Sequence, residues 1–214
     1  MTPKTLLDYW QHLVEKYAAD KTVKQELYLQ LEKDYNSPGR YYHTTQHILK
    51  LLNLSDEYSS FITDKTTVQF SVFYHDVIYK AGLSQNEKRS AKRASEELAL
   101  LGVESHVITK VSEYILATED HASNKLVDDD LKFFLDFDLS ILASSEEEYE
   151  TYMLNMRKEY QKVSFFLYKT GRAGFLKKLL KQYNIFFTPA FVVHDNKARH
   201  NMEWELREGL NRLT

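Results

Sequence analysis

Val68-Gln69-Phe70-Ser71-Val72-Phe73-Tyr74-His75-Asp76-Val77-Ile78-Tyr79 is the stretch on which the reading of this chain turns. A histidine and a carboxylate stand side by side within an apolar run. A charged Asp in an apolar interior is costly unless it is paired or holds a metal. His75 by itself reads as a satisfied core histidine. Asp76 beside it shifts that reading, because two polar groups must be satisfied at one depth. The helix carrying the pair is predicted to begin with Asp64 as N-cap and to place Val68, Val72 and Ile78 in the core.

Working outward, the chain supplies partners on both sides. Arg40-Tyr41-Tyr42-His43-Thr44-Thr45-Gln46-His47 precedes the pair. His43 and His47 are four apart, so a helix starting here puts both on one face. The bland alternative is two ordinary helix-start histidines. Downstream, Asp136 and Asp138 interrupt an apolar helix expected over 131–142. They stand roughly 200° apart on a helix, so both cannot face one ion. One should be a ligand or network member, and the other should cap, pair or face solvent.

The 214 residues include 6 Gly and 3 Pro, so breakers are few and long helices are expected. Stripes at helical spacing include Leu6, Trp10, Leu13 and Tyr17, then Leu27, Leu31 and Tyr35. Asn86 is predicted to cap a helix over 87–101 that Gly102 ends, and Ser105 to cap the next. Asp128-Asp129-Asp130 reads as caps and dipole partners rather than a cation site. Ser145 with Glu148 resembles a capping box. Gly171-Arg172-Ala173-Gly174 should break the pattern, and a last helix should begin near Asp195. His12, His106, His194 and His200 read as surface residues. The expected fold is all-α, a single domain over 1–214 with its metal-binding core at about 40–142 and flanking helices on both sides.

Composition narrows the chemistry. With no cysteine, disulfides, thiol catalysis and Cys-built zinc sites are excluded, and a metal site must use His and carboxylates. A formal net charge of −3 gives no global pull towards nucleic acid. No apolar run approaches the ~20 residues of a membrane span, and the start lacks an apolar signal core. A cytoplasmic protein is expected. Imidazole and carboxylate donors suit Mn, Mg, Zn, Co or Fe, with open positions for water.

The order His, His-Asp, Asp on helices resembles the HD superfamily of metal-dependent phosphohydrolases. Phe73-Tyr74-His75-Asp76-Val77-Ile78-Tyr79, Asn86-Glu87-Lys88-Arg89-Ser90-Ala91 and Leu135-Asp136-Phe137-Asp138-Leu139-Ser140 are similar to a bacterial group of predicted HD phosphohydrolases. Arg157-Lys158-Glu159-Tyr160, Gly171-Arg172 and Ala198-Arg199-His200-Asn201 extend the resemblance over most of the chain. It implies His47, His75, Asp76 and Asp138 as metal ligands. By analogy with cyclic-nucleotide phosphodiesterases it implies His43 as the acid that protonates the leaving oxygen. Asp76 joins the catalytic set, and Glu87 would orient water or hold a second-shell histidine. His121 would touch a second ion or the substrate. Arg40, Arg157 and Arg172 are candidates for phosphate oxygens, against the alternative of ordinary ion pairs. The chain departs from relatives that place an acidic pair after His-Asp, since Val77-Ile78-Tyr79-Lys80 follows here. The implied activity is hydrolysis of a small phosphate ester or nucleotide. A non-catalytic metal- or nucleotide-binding module and di-iron oxygenation remain as alternatives, and a homodimer is left open.

Overall fold

The computed structural model describes residues 3–121 and 127–213. The fold is all-α: eleven α-helices and four short 3-10 turns, with no strand among the described residues. Two compact units divide the chain, Met1–Glu119 and Asp120–Thr214. The boundary falls inside the 40–142 stretch read as the core. No helix among the described residues is long and apolar enough to cross a membrane.

The first unit contains α1 (Leu6–Val14), α2 (Lys21–Tyr35), α3 (Thr45–Glu57), α4 (Lys65–Tyr74), α5 (Asn86–Leu101) and α6 (Ser105–Ala117). Helix α4 is its centre and packs against α3, α5 and α6. Every residue from Thr67 to Tyr74 is buried, the pattern of a helix surrounded by others. Trp10 of α1 meets Phe73 edge-on with ring centroids 5.2 Å apart, and it also touches Phe70 and Tyr74. The polar groups on α4 are satisfied: Gln69 donates to Ser55 Oγ, and Ser71 Oγ donates to the Thr67 carbonyl. Asp64 caps α4 as expected, accepting from the Thr67 N–H.

Local signals placed most helix ends within a residue or two. Thr5 and Asp8 form a capping box on α1. The cap of α6 is Glu104 rather than Ser105. Asn86 does not cap α5 but is its first residue; the cap is Gln85, in the left-handed region at φ 71°. The Asn86 side chain instead bonds the loop before it, accepting from Lys80 N and donating to Lys80 and Leu83 carbonyls.

The second unit contains α7 (Asp129–Leu139), α8 (Glu146–Glu159), α9 (Phe165–Leu180), α10 (Pro189–Val192) and α11 (Asp195–Arg207). Helix α7 is shorter than predicted, because the 3-10 turn Ser140–Ala143 follows it. Asp128 caps it through the N–H groups of Asp130 and Leu131. Ser145 accepts from Glu148 N, the forward half of the expected capping box. The predicted break at residues 171–174 does not occur, and α9 runs through both glycines. Buried Tyr168, Leu176 and Leu179 on its inner face hold it in place, which outweighs the helix cost of Gly. Met153, Tyr168, Leu210 and Leu213 form part of this unit's core.

Candidate metal centre

The site begins where α4 ends. The last four carbonyls of a helix lack intrahelical partners. In α4 each finds one: Ser71 O accepts from His75 N, Val72 O from His75 Nδ1, Phe73 O from the Tyr35 hydroxyl and Tyr74 O from Val77 N. Burial pushes the Tyr35 hydroxyl well above its ordinary pKa, so it stays a donor. His75 is therefore the C-cap of α4, and Asp76 lies in the turn beyond, not within the helix as expected.

This capping sets the chemistry of His75. A carbonyl only accepts, so Nδ1, at 3.0 Å from Val72 O, carries the proton. Neutral His75 then presents a lone pair at Nε2, the arrangement typical of metal-ligating histidines. That Nε2 lies 3.2 Å from His47 Nε2 and 3.1 Å from Asp76 Oδ2. Donor atoms of His47, His75 and Asp76 all fall within 4.8 Å of one another, and the group could hold a metal ion. Both histidines are buried, while Asp76 is 18 % exposed at its side chain. Asp76 is thus the member of the cluster that solvent reaches.

The segment after Asp76 is fixed by backbone hydrogen bonds. The Arg40 guanidinium donates to the carbonyls of Asp76 and Val77. Ser90 Oγ accepts from Ile78 N and donates to Ile78 O. Asn86 holds Lys80 at both its backbone groups. Nothing in the local sequence spacing marks these partners, because each comes from another element.

His43 does not share a helical face with His47. Thr44 caps α3, so His43 precedes the helix. It is nevertheless at the site: its Nε2 is 3.7 Å from Asp76 Oδ2, and its ring lies 4.2 Å from that of Tyr79. Glu87 is the second residue of α5 and half-buried.

Four of the other expected site residues, His121, Asp138, Arg157 and Arg172, belong to the second unit. Asp138 Oδ2 is 2.9 Å from His121 Nε2. Asp136 is the network member of its pair: it is fully buried and accepts from Phe187 N, Thr188 N and Thr188 Oγ1. Burial pushes its carboxyl up to about 6, against those three hydrogen bonds. Arg172 is buried, with Nε and Nη2 on Glu205 and Nη1 on the Tyr152 hydroxyl. This is a buried ion pair between α9 and α11, the ion-pair alternative for this arginine. Arg157 donates to the Tyr160 carbonyl and lies over Phe165 and Tyr168. Arg199 and Asn201 also serve the fold, Arg199 at the carbonyls of Leu180 and Gln182 and Asn201 at those of Leu142 and Ser144. His12, His106, His194 and His200 are exposed, as expected.

Compared with protein-family models, curated proteins and solved structures, the chain matches none.

Proposed function

We propose that this protein is a metal-dependent hydrolase of small phosphate esters, of the HD type its motifs resemble. The observation that carries the reading is the convergence of His47 Nε2, His75 Nε2 and Asp76 Oδ2, with the carboxylate partly exposed. Two imidazoles and a carboxylate form a donor set for a divalent transition metal and leave positions for water. A dication held by these residues would acidify a bound water and so supply a nucleophile for phosphorus at neutral pH.

The chain's own residues do the rest. His75 keeps its lone pair forward because its other nitrogen is spent on Val72 O. Asp76 adds the negative charge that favours a dication, and its carboxylate is the acceptor for the proton of an attacking water. His43 stands beside it, 14 % exposed and so in reach of a ligand. In protonated form it gives its proton to the leaving oxygen as the P–O bond breaks. The stack on Tyr79 holds the ring while that transfer takes place.

The test is turnover of a panel of phosphomonoesters, phosphodiesters and nucleotides with added Mn²⁺, Mg²⁺, Co²⁺ or Zn²⁺. The wild type is compared with His43→Ala and with the double variant His75→Ala/Asp76→Ala. Metal-dependent release of phosphate or nucleoside should be lost in the double variant and fall about 10²–10⁴-fold in His43→Ala. Metal-dependent nucleotide binding without product would replace this reading with that of a binding module.

A further inference from the structure

We infer that Arg40 is a positioning residue of the metal centre and not a ligand for substrate phosphate. What it positions rests on the function proposed above. Its Nη1 donates to the carbonyls of His43 at 3.1 Å and Asp76 at 2.8 Å, and Nη2 donates to Val77 O at 2.9 Å. Both N–H groups of Nη1 are thereby used. The guanidinium lies 4.9 Å from the centre of the Tyr35 ring and 5.6 Å from that of Tyr79. Tyr79 in turn packs on His43, and Tyr35 holds the Phe73 carbonyl of α4.

The two halves of the site come from different helix ends, His43 just before α3 and His75-Asp76 just after α4. Arg40 ties one to the other through a planar fork whose N–H directions are fixed. It acts on backbone, so it sets where the His43 ring and the Asp76 carboxylate stand without touching either reacting group. A lysine keeps the charge but cannot reproduce the fork, which makes Arg40→Lys the informative substitution.

The test is Co²⁺ titration of wild type and Arg40→Lys, read by visible absorption, with inorganic phosphate then titrated into each. A positioning role predicts Co²⁺ affinity weakened about 10–100-fold and an altered cobalt spectrum, with helical circular dichroism retained. Unchanged cobalt affinity and spectrum with phosphate affinity lost would overturn it in favour of a phosphate ligand. Imidazole NMR of the metal-free proteins gives an independent reading. The His43 and His75 signals should shift in Arg40→Lys, while those of exposed His12, His106, His194 and His200 stay. No shift at His43 and His75, or equal shifts at the exposed rings, would overturn the inference. Should the wild type take up no Co²⁺, the proposed function falls and this spectrum alone decides the role of Arg40.

Discussion

The Nε2 atoms of His47 and His75 face each other across 3.2 Å. His75 is held by the carbonyl it caps, and His47 stands one turn into a helix capped by Thr44. Metal binding requires lone pairs at both nitrogens, so protons compete with the ion. Zn²⁺ or Mn²⁺ affinity should therefore weaken as pH drops from about 7.5 to about 5.5. Calorimetric titration at the two pH values checks this, and equal affinity would mean that imidazoles are not the donors.

Arg172 makes a second prediction, about stability. Its partner Glu205 is fully buried, and the pair sits among the hydroxyls of Tyr149 and Tyr152. Removing one member leaves the other charged and buried, at a cost of about 3–5 kcal/mol. Glu205→Gln and Arg172→Met should both lower the urea midpoint steeply. A substrate-binding Arg172 would instead lose activity at unchanged stability.

Asp136 adds a pH dependence. Burial pushes its carboxyl up to about 6, so the folded chain holds this proton more tightly than the unfolded chain does. Its contribution is complete below the unfolded value near 4 and is lost as pH rises through about 6, a change of about 3 kcal/mol. Asp136→Asn cannot ionise, so relative to wild type it should gain that amount between pH 4 and pH 7. Asp136→Ala, by contrast, leaves the donors at Phe187 and Thr188 without their acceptor and should cost about 2–4 kcal/mol. Denaturant unfolding of the three proteins at both pH values decides it; parallel profiles for wild type and Asp136→Asn would contradict the assignment.

The parts of this fold legible in the sequence are those set by local chemistry. Asp64, Asp128 and Ser145 cap the helices they were expected to cap, since an N-cap depends on groups two or three residues away. The conflict of His75-Asp76 with its apolar surroundings was equally visible, and it does mark a cluster. What was not legible depends on long-range partners. Gly171 and Gly174 signal a break locally, yet packing of Tyr168, Leu176 and Leu179 carries the helix through them. Arg40 and Arg172 look alike as phosphate candidates, because the sequence does not display the carbonyls of Asp76 and Val77 or the carboxylate of Glu205. His43 reaches the site from outside α3, where periodicity has no bearing.

The central claim is that His47, His75 and Asp76 hold a divalent cation. Elemental analysis tests it most directly, on wild type, His47→Ala and His75→Ala after loading with Mn²⁺, Co²⁺ or Zn²⁺ and removal of free ion. The account predicts about one tightly held ion per wild-type chain, lost in both variants. No retained ion in the wild type, or an undiminished content in the two variants, would contradict it.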